Sequence, residues 1–97
     1  MTSVYFAPAA RYDLVQIWSY TADRWSIEQA DAYVGAIHAS LYAAATNAPS
    51  AYAISDVRPG YWRTKSGHHI CFFKRRSQGG IDVVRILHER MDAGSHL

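Results

Sequence analysis

Binding a phosphate ester or an acidic surface takes dispersed cationic donors, and the second half of this sequence supplies them. Arg58, Arg63, Lys65, Lys74, Arg75, Arg76, Arg85 and Arg90 stand against Asp56, Asp82, Glu89 and Asp92, eight basic against four acidic side chains, a net charge of +4. Residues 1–50 hold two basic side chains, Arg11 and Arg24, against four acidic ones, Asp13, Asp23, Glu28 and Asp31, a net charge of −2. The formal total of +2 hides this uneven distribution, and between Val57 and Gly80 six basic residues meet no acidic one. Such asymmetry points to a cationic face turned toward nucleic acid or an acidic protein, with an ordinary solvated surface as the plain alternative. In the run Tyr61-Trp62-Arg63-Thr64-Lys65 the two-residue period of a strand sets Tyr61, Arg63 and Lys65 on one side, with Trp62 and Thr64 on the other. Lys74, Arg75, Arg85 and His88 from neighbouring strands would complete an open face, where arginine offers phosphate a bidentate contact.

His88 ends the last apolar run, and a neutral imidazole among arginines is a candidate general acid or base, since like charges disfavour imidazolium. The plain alternative is a histidine that hydrogen-bonds the backbone at a strand end. His68-His69 resembles a metal pair, but adjacent strand residues point to opposite faces and would not share an ion, so no metal site is expected. Cys71, between Ile70 and Phe72, reads as a buried reduced thiol rather than a nucleophile. Gly79-Gly80 precedes a strand, not a helix, so it is no nucleotide loop, and no cofactor is implied. Trp18, Trp25 and Trp62 read as core-builders rather than a stacking platform for bases.

These side chains need a scaffold, and 97 residues with 49% hydrophobic and 19% charged content describe one domain spanning 1–97, near the usual domain size of roughly 100 residues. A single cysteine excludes an internal disulfide and suits a reducing compartment. No secretory leader pattern opens the chain and no apolar run nears the roughly 18 residues of a membrane span, so the expectation is a cytoplasmic, soluble protein. Val4-Tyr5-Phe6 is β-prone and stops before Pro8, which suits the first turn of a helix. Leu14, Ile17, Trp18, Thr21 and Trp25 then recur at helical spacing, with Asp13, Gln16 and Asp23 assigned to the opposite side. Ser26-Ile27-Glu28-Gln29 has the form of a capping box and starts a second helix with Ala30, Tyr33, Val34, Ile37, Leu41, Ala44 and Ala45 on its apolar face, ending at Asn47-Ala48-Pro49. After a loop from Ser50 to Ser55 the period becomes two: strands at Tyr61–Lys65, His68–Arg75 and Ile81–Leu87, turns at Ser66-Gly67 and Gln78-Gly79-Gly80, then a short helical turn before the tail. The expected fold class is α+β, a β-α-α-β-β-β order in which an antiparallel two-helix hairpin packs on one face of an antiparallel sheet and leaves the other face bare.

The order of elements and four local patterns resemble the ParE branch of the RelE/ParE toxins of bacterial type II toxin–antitoxin systems. The patterns are Pro8-Ala9-Ala10 leading to Asp13-Leu14 and Ile17-Trp18; Trp25 with Gln29-Ala30 and Tyr33; Val57-Arg58-Pro59-Gly60-Tyr61; and Ile81-Asp82-Val83-Val84-Arg85-Ile86-Leu87-His88-Glu89-Arg90-Met91-Asp92. The resemblance covers nearly the whole chain, and the last pattern is its most specific part.

The resemblance implies a small toxin neutralised by a ParD-like antitoxin whose flexible C-terminal segment wraps it, with DNA gyrase as target and no active site needed. Sequence-specific DNA binding by the toxin itself is not implied. Target-binding positions would be Arg58, Tyr61, Arg63, Lys65, Lys74, Arg75, Arg85, His88 and Arg90. Antitoxin-binding positions would be Leu14, Ile17, Trp18, Trp25, Tyr33, Ile37 and Arg85. RelE-like relatives instead cut messenger RNA on the ribosome, and the matching ribonuclease positions are Arg63, Lys65, Arg85 and His88. The chain departs from that pattern, because no tyrosine follows Val84 and it continues as Glu89-Arg90-Met91-Asp92.

Overall fold

A computed structural model of the chain describes residues 3–46 and 51–97. The elements are β1 (Val4–Phe6), α1 (Pro8–Arg24), α2 (Ile27–Ala45), β2 (Tyr52–Ala53), β3 (Trp62–Ser66), β4 (His69–Arg75), β5 (Ile81–His88) and α3 (Ala93–His96). Pro8 opens α1, where its missing N–H costs nothing and its fixed φ fits the helix. Ser26 Oγ accepts the Gln29 N–H at 3.0 Å, the cap expected for α2. The Asn47-Ala48-Pro49 stop lies outside the described residues. Asp92 caps α3 by accepting the Gly94 N–H at 3.1 Å.

The sheet runs β1-β5-β4-β3-β2, with β1 parallel to β5 and every other pair antiparallel. The helical hairpin lies on one face, α1 against β5 and α2 against β3. Between these layers sits the main core, including Ile17, Ile37, Leu41, Cys71, Phe73, Ile81, Val83 and Ile86. Removing such side chains from water is the principal source of stability, at about 25 cal/mol per Å² of apolar surface. Trp62 packs against this core as expected. Where β5 begins, the Ile81 N–H bonds Ser3 O at 2.9 Å, and Gly80 adopts φ +83°. A Cβ at Gly80 would lie 2.4 Å from Ser3 O, so only glycine allows β1 this close.

The structure departs from the expected arrangement at several points. The second sheet face is not bare: Ile54, Tyr61, Ile70, Phe72 and Leu87 form a smaller cluster there, covered by Ala93 and Leu97 from the C-terminal segment. Tyr52–Ala53, assigned to a loop, is an edge strand paired with Trp62 and Arg63, too short at two residues to show a period. Arg75 shares the helix-side parity of Cys71 and Phe73. Its guanidinium donates to Ala44 O at 3.0 Å and stacks on Trp62 at 4.3 Å, away from the outer face. Asp13 is buried, not on the solvent side of α1. It falls three residues after Ala10 and four before Ile17, on the same helical stripe as both.

The reason for burying a carboxylate lies in β5. β1 pairs with Ile81, Asp82 and Val83, so among the described residues the β5 edge beyond them has no neighbouring strand. Asp13 takes that place: Oδ2 accepts the Ile86 N–H at 2.9 Å, and the two oxygens accept Arg85 Nε and Nη2 at 2.8 and 2.9 Å. A bulge between Phe72 and Phe73, which puts Arg85 opposite Phe72 and Val83 opposite Phe73, leaves Val84 as the extra residue.

Candidate functional site

The hairpin and the sheet part at one end and leave a groove between α1 and the ends of β4 and β5. One cavity of about 320 Å³ is lined by Gln16, Ile17, Tyr20, Thr21, His69 and His88. It adjoins another of about 300 Å³, lined by Tyr20, Thr21, Trp25, Gln29, Tyr33, His68, His69 and His88. A third, of about 220 Å³, continues along α1 past Asp13 and Arg85 to Met91 and again includes His69 and His88. The groove's apolar wall is therefore helical, and its polar floor is a set of imidazoles.

The ladder makes that set. β4 and β5 pair His69 with His88, and the rings meet edge-on with centroids 5.4 Å apart. His68 lies in the β3–β4 turn rather than in the strand, so strand alternation does not apply to it. Its ring stacks on His88 at 6.2 Å, and His68 and His69 line one cavity instead of facing apart. Tyr33 of α2 closes the cluster: its oxygen accepts the His68 N–H at 3.0 Å, and its hydroxyl shares a 2.6 Å hydrogen bond with His69 Nδ1. Gly67, at φ +58°, makes room, since a Cβ there would fall 2.8 Å from the Tyr33 ring. Burial, followed by the neighbouring His88 and His68, holds the His69 pKa below its ordinary 6.5, and burial raises that of Tyr33. On the outer side Glu89 accepts from Lys65 at 2.9 Å and from His68 at 2.6 Å, which draws its pKa down to about 2.

This arrangement can exchange a proton at His69 and offer N–H donors to an anion. Among the described residues no three His, Cys, Asp or Glu side chains are placed to hold a metal ion. Cys71 lies inside the main core, and burial pushes its thiol up to about 12.

The expected basic residues divide between two faces. Arg58 and Lys74 both lie over the Tyr61 ring, at 5.6 and 5.3 Å, and Arg58 also donates to Leu97 O. Arg63 lies over Tyr52 at 5.2 Å, with its buried Nε lacking a partner among the described residues. Arg58, Tyr61, Arg63 and Lys74 thus share the outer face with Lys65, braced on two different tyrosine rings, whereas Arg75 and Arg85 are held on the hairpin side. Arg90 is exposed beyond β5. Of the four ribonuclease positions, Arg85 and His88 line one cavity, where Arg85 is paired with Asp13, while Arg63 rests on a tyrosine and Lys65 pairs with Glu89.

Of the antitoxin positions, Ile17, Trp25 and Tyr33 line the groove and Arg85 stands at its far end. Leu14 and Ile37 pack into the core. Trp18 ties the helices together through a 2.9 Å bond from Nε1 to Asp31. Trp25, read as a core residue, is instead 68% exposed. Groove residues assigned no binding role from the sequence are Tyr20, Gln29, read as part of a helix cap, and the His68-His69 pair, weighed only as metal ligands. Tyr20 was detectable, because it follows Ile17 by three on the same stripe, while the histidines are gathered only by strand register.

Comparison with known proteins agrees with the fold. The family model described as "ParE toxin of type II toxin-antitoxin system, parDE" matches residues 4–93. The chain is 40% identical over 98 residues to Toxin ParE1 of Mycobacterium tuberculosis, covering the whole of both. It is 33% identical over 88 residues to Toxin ParE1 of Caulobacter vibrioides, covering 91% of this chain and 90% of that protein. A solved structure titled "Chromosomal ParDE TA system from P. aeruginosa" superposes with a TM-score of 0.69 at 19% identity, covering 91% of this chain and 96% of the other, a likeness of fold.

Proposed function

The chain belongs to the ParE family of toxins of type II toxin–antitoxin systems, and from that premise we propose that it stabilises the cleaved-DNA complex of DNA gyrase and that a ParD-like antitoxin neutralises it. The observation that carries the reading is the dispersal of the basic side chains. Phosphoryl chemistry needs donors aimed at one developing charge, whereas Arg58, Arg63 and Lys74 are spread over a face and braced on tyrosine rings. Arg85 is consumed by Asp13, and Lys65 by Glu89. A spread, braced surface suits a protein that works by occupying another machine.

The antitoxin half of the proposal rests on the groove. Ile17, Tyr20, Trp25 and Tyr33 offer apolar and aromatic anchorage, and the cationic outer face lies on the far side of the same sheet. An amphipathic acidic segment that folds as it binds would use both. No helix among the described residues is long and apolar enough to cross a membrane.

Parallel assays on one preparation test the proposal. Added to gyrase and relaxed plasmid, the protein is expected to block supercoiling, and added to a translation extract it is expected to leave messenger RNA intact. Undisturbed supercoiling together with cleaved message would overturn it in favour of a RelE-type ribonuclease.

A further inference from the structure

The groove's polar groups are oddly matched. His69 and His88 line all three of its cavities, and the two larger cavities have no arginine or lysine in their walls. The chain's own nearby carboxylates are already taken, Asp13 by Arg85 and the Ile86 N–H, Glu89 by Lys65 and His68. Each ring has one nitrogen engaged: His69 Nδ1 faces the Tyr33 hydroxyl at 2.6 Å, and His88 Nδ1 accepts the Arg90 N–H at 3.2 Å. The Nε2 atom of each ring has no hydrogen-bond partner among the described residues.

The two rings have different freedom. A hydroxyl both donates and accepts, so the Tyr33 O–H can turn and accept if His69 gains a proton on Nδ1. The Arg90 N–H can only donate, so in this geometry the neutral His88 ring carries its hydrogen on Nε2 and offers it as a donor. We propose that His69 and His88 form a proton-linked receptor for a carboxylate, an acidic side chain next to an apolar one on the segment of the antitoxin that fills the groove, with His69 taking up the proton and His88 donating. This rests on the groove being the antitoxin-covered surface.

The apolar wall of Ile17, Tyr20 and Trp25 is what selects a carboxylate on a hydrophobic segment over phosphate, for which bidentate arginine would be wanted. In the free protein, burial and the other two imidazoles oppose a charge on His69, while Glu89 and Asp13 favour it weakly. An incoming carboxylate reverses that balance and raises the His69 pKa. Affinity is therefore greatest below the pKa of the free ring and declines as pH rises through it toward that of the bound ring. One unit of pKa shift corresponds to about tenfold in affinity.

The test titrates the isolated chain with 3-phenylpropionate at pH 5.5 and pH 8.0, following the imidazole signals of His69 and His88 by NMR, with 3-phenylpropionamide as the uncharged control. The acid is expected to bind about tenfold more tightly at the lower pH, and the amide weakly at both. His69→Gln should remove the pH dependence, while His88→Gln should weaken binding at both pH values and keep their ratio. Equal affinity at the two pH values, an amide that binds as well as the acid, or signals shifting only on the Arg63–Lys74 face would each overturn the inference. A second arm measures the affinity of a ParD-like antitoxin at the same pH values. Tighter binding at pH 5.5 that His69→Gln abolishes supports the proposal, and pH-independent binding overturns it. An antitoxin that does not bind at all refutes the assigned occupant together with the neutralisation reading, an outcome the phenylpropionate titration tells apart from failure of the histidine receptor.

Discussion

Replacing Asp13 probes the joint on which the hairpin-to-sheet arrangement depends. Its carboxylate is one-tenth exposed, Arg85 is one-quarter exposed, and three hydrogen bonds of 2.8 to 2.9 Å converge on it. Breaking a buried ion pair by removing one partner costs about 3–5 kcal/mol, and the partial exposure of Arg85 argues for about 3. The orphaned Ile86 N–H adds about 1 kcal/mol or more. Asp13→Ala should therefore destabilise the fold by about 4 kcal/mol, which for a chain of this length lowers Tm by about 15–30 °C. Asp13→Asn keeps an oxygen for the Ile86 N–H and gives up the charge, so it should cost about 1.5 kcal/mol. Urea unfolding of Asp13→Ala, Arg85→Ala and the double variant yields the coupling between the two side chains, expected at about 2 kcal/mol. A cost below about 1 kcal/mol for Asp13→Ala, with no coupling, would refute this account of the joint.

Three further outcomes follow from single features. Gly80→Ala, placing a methyl 2.4 Å from Ser3 O at φ +83°, should cost about 2 kcal/mol or more by prising β1 from β5, read as lost amide protection at Ile81. Because the His69 pKa is lowered on folding, its contribution is complete above 6.5 and is lost as pH falls through that value toward the folded pKa; the stability difference between pH 7.5 and pH 5 should shrink in His69→Gln, and an unchanged difference would contradict the burial argument. Cys71, buried with its thiol pushed up to about 12, should resist iodoacetamide in the native protein and react readily in urea, whereas rapid native labelling would show that the core opens.

Local signals in the sequence carried most of the fold. Pro8 and the Ser26–Gln29 pair act within one helical turn, and the two-residue period of Trp62–Ser66 needs no tertiary knowledge to read. Asp13 was illegible for the opposite reason: a lone carboxylate on an apolar stripe looks solvent-facing unless its partner, 72 residues away, is known. The parity of Arg75 and the grip of Asp13 on Arg85 decided which cations reach the outer face, and the first depends on register while the second depends on a partner far away in sequence. The His68-His69-His88 groove was hidden too, since two adjacent histidines read as opposed until the turn at Gly67 removes His68 from the strand. Trp25 shows the limit of periodicity itself, because it keeps helical spacing where α1 ends and has no layer left to pack against.

The proposal that this fold acts by binding gyrase and holding it on cut DNA is tested by trapping. Gyrase, supercoiled plasmid and ATP are incubated with increasing amounts of the protein, denatured with SDS, and the DNA is resolved after proteolysis. Linear DNA is expected to rise with the protein, to depend on gyrase, and to fall when the antitoxin is added. Supercoiled plasmid left intact at every concentration would contradict it.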